Sequence, residues 1–241
     1  MTGPGFTKGQ VNRAGRLALD FRERVLSDGA QQAEEAFDLD KLEEAWQALT
    51  WWRSLHARPL SSVAANLRYH VEKADARMEG RIEVAQRLKR MDTIIGKLAR
   101  HPGSVTRMHD IGGVRAVVPS LRDVLAVRRR LLKSWTIRKE RDYVSTPKRD
   151  GYRALHLIVD RWGLPIEVQL RTVLQDEWAN AVEDAGRARG VAFKFGHGSD
   201  RDKLLFSALS EVIAGFEHGD LSADNLQAAL SELPSLTIEP R

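Results

Sequence analysis

Residues 110–118, Asp-Ile-Gly-Gly-Val-Arg-Ala-Val-Val, pass from a carboxylate through a glycine pair into a β-prone apolar run. Leu155-His-Leu-Ile-Val159 and Ile166-Glu-Val-Gln-Leu170 repeat that character, each bounded by Gly, Pro or Asp. Such runs read as strands of one sheet. On either side the period changes. Gln10 to Leu26, Leu39 to His56 and Leu60 to Met78 place apolar residues at helical spacing, and the polar stretch Glu79 to Glu83 closes the third helix. Arg122 to Trp135 reads as a helix with Val124, Val127, Leu131 and Leu132 on one face, followed by a loop at Pro147 to Gly151. Helical spacing returns from Val173 through Trp178 and Ala181, over Leu204 to Phe216 and over Asn225 to Leu230, before a Pro-containing tail. This order predicts an α+β fold, a mixed β-sheet flanked by helices. The helical N-terminal region would span 1–80, the core 81–190, and C-terminal helices over 191–241 would pack on it.

The chain has 241 residues, and 38 Lys and Arg against 33 Asp and Glu give a formal charge of +5. Its 42% hydrophobic and 29% charged fractions are those of a globular protein. Cysteine is absent, which excludes disulfides, thiolate metal sites and a cysteine nucleophile. No apolar run approaches the roughly 18 to 20 residues of a membrane helix, and Met1 to Gln10 lacks a signal-peptide core. A cytoplasmic protein without membrane association is expected.

Four constellations carry chemistry. Arg87-Leu-Lys89, Thr93 and Lys97 fall in a stretch, 87–100, with five basic residues and one acid. If Arg87 to Lys89 is extended and a helix starts near Asp92 or Thr93, cations, a hydroxyl and helix amides converge on one anion, as a polyphosphate needs. A solvated basic helix explains the same residues. Asp110 stands before a glycine pair and a strand, where a carboxylate suits Mg2+ and glycine suits close approach of a ligand; a surface turn is the plain alternative. The pair His109-Asp110 also suggests a metal phosphohydrolase, but the upstream helices supply no matching His and Asp ligands. Between Asp142 and His156, Lys148 and Arg149 precede an Asp150-Gly151 turn, and Tyr152, Arg153 and His156 follow on the strand. A ring beside cations suits a nucleobase and its phosphates, or packs on the sheet. Alternation along Glu167-Val-Gln-Leu-Arg171 puts Glu167, Gln169 and Arg171 on one face, a polar face that is costly to bury without partners.

In this order and spacing, Arg-x-Lys-x3-Thr-x3-Lys, Asp-Ile-Gly-Gly-Val-Arg, Pro-Lys-x2-Gly-Tyr-Arg-x-Leu-His and Glu-Val-Gln-Leu-Arg-Thr, the segment from Arg87 to Trp178 resembles the synthetase domain of the RelA/SpoT family. The resemblance implies a nucleotidyltransferase-like sheet and transfer of the β,γ-pyrophosphoryl unit of ATP to a ribose 3′-hydroxyl. It implies a stand-alone small alarmone synthetase, because 241 residues leave no room for hydrolase or regulatory regions. By the same likeness Arg87 and Arg115 sandwich the adenine, and Lys89, Thr93 and Lys97 hold the ATP phosphates. Asp110 binds Mg2+, and Glu167 completes the metal site or takes the proton of the attacking hydroxyl. Tyr152 stacks on the acceptor base, Lys148 and His156 lie near acceptor phosphates or ribose, and Gln169 and Arg171 support Glu167.

Asp150 stands where makers of guanosine alarmones commonly have Asn, and Asp184 follows Glu183 where small synthetases have His. Arg-Leu-Lys-Arg at 87–90 and the positive charge fit a toxic branch that modifies the 3′ CCA end of tRNA and is paired with antitoxins. The expected acceptor is therefore GDP or GTP, or the tRNA 3′ end; the expected partners extend to an antitoxin and to copies of the chain in a homo-oligomer. The competing reading is a catalytically silent RNA-binding module, favoured by ten basic against three acidic residues over Arg128 to Arg153.

Overall fold

The computed structural model describes residues 5–74, 78–101, 103–190, 193, 198–228 and 231. In chain order the elements are α1 (Lys8–Asp28), α2 (Ala30–Ala36), α3 (Leu39–Leu55), α4 (Ala57–Glu72), β1 (Glu83–Leu88), α5 (Met91–Arg100), a 3-10 turn (Val105–Arg107), β2 (Gly112–Val118), α6 (Leu121–Ser134), β3 (Ile137–Asp142), β4 (Leu155–Arg161), β5 (Leu164–Thr172), α7 (Val173–Arg189) and α8 (Asp200–His218). The five strands form one sheet in the order β1-β2-β5-β4-β3. The fold is α+β, a mixed sheet flanked by helices, as the sequence predicts.

The three expected strands are β2, β4 and β5. Both strands that periodicity does not reveal, β1 and β3, are the edges of the sheet. β3 reads Ile-Arg-Lys-Glu-Arg-Asp and carries charge at five consecutive positions, as an edge strand does to block further pairing. The third helix differs from its expected span: α4 starts at Ala57 and ends at Glu72, and Glu83 opens β1 rather than closing a helix. Residues 75–77 lie outside the described residues. Residues 223–228 are helical, whereas 229, 230 and the Pro-containing tail lie outside the description.

The chain forms two compact units. The first comprises Met1–Ala65, Gln86–Val114 and Ile158–Glu167. Its α1 opens with a Thr7/Gln10 capping box, and its α3 with the Asp38 side chain accepting from the Lys41 amide. Ala14, Gly15 and Ala18 keep one face of α1 small, so that it lies close to its neighbours. A Cβ on Gly15 would meet Val105 at 2.5 Å. Leu49 and Trp52 of α3, Ile94, Ile95 and Leu98 of α5, and Ile111 complete this core.

The second unit comprises Asn66–Ala85, Arg115–Leu157 and Val168–Arg241. Trp178 and Val182 of α7 pack with Phe206, Leu209 and Ile213 of α8, and the Trp178 indole donates to the Phe206 carbonyl at 2.9 Å. α8 also fixes the loop before β4. Gly151 sits at φ +87°, and a Cβ there would meet Ser210 at 3.0 Å and the Phe206 carbonyl at 3.1 Å, so only glycine serves both the turn and the contact. Arg153 is consumed by this packing: it is buried and donates to Ser210 Oγ at 3.0 Å, to the Val144 carbonyl at 2.8 Å and to Glu211 at 2.7 Å. Tyr152 and Arg153 precede the strand, and of the three polar residues expected there only His156 lies on it.

Candidate active site

In the first unit two of the three expected phosphate-binding residues, Lys89 and Lys97, meet at Asp110. Lys89 leaves β1, where its backbone amide donates to the Ile111 carbonyl at 2.8 Å, and its Nζ donates to Asp110 Oδ2 at 2.7 Å. Lys97 of α5 donates to the other oxygen, Oδ1, at 2.8 Å. Arg53, at the end of α3, braces the Lys89 carbonyl at 2.7 Å, a contact no sequence signal foretells. Burial by itself would raise the Asp110 carboxyl; the attraction of Lys89 and the hydrogen bonds from both lysines outweigh it and hold the pKa at about 2. The group is thus a carboxylate over the whole physiological range.

α5 begins at Met91, with Arg90 as N-cap and no side-chain cap on its first turn. Thr93 and Lys97 are four residues apart and share one face of this helix. Uncapped amides, a hydroxyl and an ammonium on one turn-and-a-half of helix suit an anion. Arg87, on β1, is exposed.

The glycine pair divides its work. A Cβ on Gly112 would meet Ile166 Cδ1 at 2.7 Å, with His56 and Leu60 at 3.7 Å, so this glycine is required by packing. Gly113 points the other way: its Cβ would meet only the Glu167 carbonyl, at 4.0 Å. That contact also sets β2 beside β5 and places Asp110, three residues before Gly113, and Glu167 on neighbouring segments of one unit. Ile166, Val168 and Leu170 are buried on one face of β5, while Glu167 and Gln169 are half-buried on the other, as alternation predicts. Among the described residues no three His, Asp or Glu side chains gather as a metal cage. Both Asp110 oxygens face lysine ammoniums, and an ionised carboxylate is the donor type Mg2+ takes alongside phosphate oxygens and water.

In the second unit the remaining expected residues cluster around Tyr152. Its hydroxyl meets His156 Nε2 at 2.7 Å and accepts from Arg171 Nη2 at 2.9 Å; the same nitrogen donates to Gln169 Oε1 at 2.9 Å. Lys148 Nζ lies 4.4 Å from the centre of the Tyr152 ring and 4.8 Å from that of Tyr143, which packs edge-on to His156. Tyr143 belongs to the quoted motif but sequence reasoning gave it no role. Arg115 and Arg171 both reach a carboxylate that sequence reasoning missed altogether, Asp176 in the first turn of α7. A Thr172/Gln175 capping box pins that turn, and both side chains reach Glu217 of α8.

Comparison with known proteins finds likenesses over this region. A model described as the region found in RelA / SpoT proteins matches residues 86–187. GTP pyrophosphokinase YwaC of Bacillus subtilis is 34% identical over 113 residues, 39% of this chain and 52% of its own length. GTP pyrophosphokinase YjbM of the same organism is 29% identical over 109 residues, 40% of this chain and 52% of its own. The probable GTP diphosphokinase RSH3 of Arabidopsis thaliana is 35% identical over 92 residues, 37% of this chain and 13% of its own. The chain thus spans about half the length of the two bacterial relatives and a small part of the plant one. Small alarmone synthetase 1 of Bacillus subtilis, solved with its product pppGpp, superposes with a TM-score of 0.57 at 20% identity, covering 76% of this chain and 99% of that one. A GTP pyrophosphokinase family protein of Streptococcus pneumoniae gives 0.55 at 23% identity, covering 80% and 99%. Residues 86–187 thus match the region found in RelA / SpoT proteins, and the chain shares the fold of the small alarmone synthetases.

Proposed function

We propose that the protein is an ATP-dependent pyrophosphokinase whose acceptor is the ribose 3′-hydroxyl of GDP or GTP. The observation that carries this reading is the Asp110 carboxylate held between Lys89 and Lys97 inside the RelA/SpoT region. The names of the bacterial relatives support a guanosine acceptor.

In the reaction the acceptor oxygen attacks the β-phosphorus of ATP, the bond between the α,β-bridging oxygen and that phosphorus breaks, AMP departs, and the hydroxyl proton passes to Glu167 or to water. Little covalent work falls to the protein; positioning and charge neutralisation carry the rate. Lys89, Lys97 and Thr93 bind the ATP phosphates, and the ammoniums now on Asp110 turn to them. Arg87 and Arg115 flank the adenine. Asp110 and Glu167 would hold Mg2+, which would supply further neutralisation of phosphate charge. The acceptor base stacks on Tyr152, displacing the Lys148 ammonium from the ring, and that ammonium then meets the acceptor phosphates beside His156. Gln169 and Arg171 hold the polar face of β5 in place.

Incubation with γ-labelled ATP, Mg2+ and GDP, GTP or deacylated tRNA tests the assignment. Label is expected in the guanosine nucleotide. Label in tRNA alone would reassign the acceptor to the tRNA 3′ end, and label in none of the three would refute the enzymatic reading. Cation-driven RNA binding that persists without ATP and weakens steeply with salt, with no transfer, would favour the silent RNA-binding module.

A further inference from the structure

Asp176 touches no position assigned to either substrate except through its arginines, yet its side chain is completely buried and surrounded by donors. Its Oδ1 receives Arg115 Nη1 at 2.9 Å and Arg171 Nη1 at 3.1 Å. Its Oδ2 receives Asn180 Nδ2 at 3.3 Å, with Arg81 Nη2 at 3.9 Å. One oxygen therefore bridges two guanidiniums from different strands, β2 and β5, which would repel each other at this spacing without it. Arg171 passes the restraint on, since its second terminal nitrogen donates to both the Tyr152 hydroxyl and Gln169.

A buried ion pair adds little net stability over an apolar replacement, so a cluster of this size calls for another account. Stability alone would be served by one arginine per carboxylate. We infer that Asp176 is a positioning residue that fixes Arg115 and Arg171 relative to each other and, through Arg171, holds the Tyr152 ring at the acceptor. This rests on the pyrophosphokinase reading, because Arg115 serves ATP and Tyr152 the acceptor in that reading. The start of α7 suits Asp176 to this role, because the Thr172/Gln175 capping box pins it and the helix dipole favours a carboxylate in a first turn.

The test combines kinetics with a structural readout. Asp176→Asn keeps shape and loses the charge; its kcat/KM is expected to fall on the order of a hundred-fold. KM is expected to rise for ATP and for the guanosine acceptor together, whereas Tyr152→Ala raises it for the acceptor only. Asn180→Ala, a milder change at an exposed position, is expected to move both constants in the same direction by less. Asp176→Asn combined with Arg171→Gln is expected to cost no more than Arg171→Gln alone in acceptor KM, because both remove one restraint. In nitrogen-15 spectra of the arginine side chains, the Arg115 and Arg171 guanidiniums are expected to rotate slowly in the wild type and freely in Asp176→Asn, with that of Arg153, which does not touch Asp176, unchanged. Unchanged kinetics in Asp176→Asn, additive losses in the double variant, or freely rotating guanidiniums in the wild type would each overturn the inference while leaving the activity intact. Absence of transfer by the wild-type protein is a different result: it removes the pyrophosphokinase reading and the positioning role with it.

Discussion

Asp110 receives one ammonium on each oxygen, and that arrangement makes it both the electrostatic centre of the site and a contributor to stability. Asp110→Asn removes the charge that orders Lys89 and Lys97, so transfer is expected to drop on the order of a hundred-fold or more, with the far-ultraviolet circular dichroism preserved. Its pKa is depressed in the folded state, from the ordinary 3.8 to about 2, so its stabilisation is present above 3.8 and is lost as pH falls through the folded value. The gap corresponds to roughly 2 kcal/mol. Urea midpoints of the wild type should therefore fall between pH 5 and pH 2 more steeply than those of Asp110→Asn; parallel curves would show that the two lysines do not hold this carboxylate.

Element by element, the two glycines of β2 differ in the room their surroundings leave. Gly112→Ala drives a methyl group to 2.7 Å from Ile166 and is expected to destabilise the protein by about 1–3 kcal/mol, read as a lower melting temperature. Gly113→Ala meets nothing closer than 4.0 Å; its melting temperature should be unchanged, with any loss appearing in turnover. The pairing of α7 with α8 offers an opposite pH signature. Burial raises the Glu217 carboxyl above its ordinary 4.5, against the partial opposition of Thr172 and Gln175. A raised folded pKa means stability present below 4.5 and lost as pH rises through the folded value, so Glu217→Gln is expected to stabilise on the order of 1 kcal/mol at pH 8 and little at pH 4, by thermal melts. Equal effects at both pH values would place Glu217 in solvent.

Across the whole molecule, what was legible in the sequence follows from which interactions are local. β2, β4 and β5 show as apolar runs because they are the interior of the sheet; β1 and β3 escape because edge strands carry charge outward and bury little. The motif resemblance singled out Lys89, Lys97 and Asp110, although 21 and 13 residues of chain separate the two lysines from the carboxylate they contact. Arg53 stayed hidden because it acts on a carbonyl 36 residues away; Asp176 lies five residues from Arg171, but its burial and its second arginine, Arg115 of β2, come from tertiary packing. His56 likewise reads as the end of a helix but is fully buried, its Nδ1 on the Trp52 carbonyl and its Nε2 unpaired, and burial lowers its pKa despite that hydrogen bond. Its depressed folded value predicts a loss of stability that begins as pH falls below the ordinary 6.5, well before that of Asp110, and that disappears in His56→Gln.

The reading of the molecule as a pyrophosphokinase is tested most directly by weighing the products of ATP and GDP after incubation with Mg2+. The account predicts AMP and a guanosine nucleotide heavier by two phosphoryl groups, in equal amounts, both formed on the order of a hundred-fold more slowly with Asp110→Asn. ADP with a singly phosphorylated product, or ATP consumed with GDP unchanged, would contradict it.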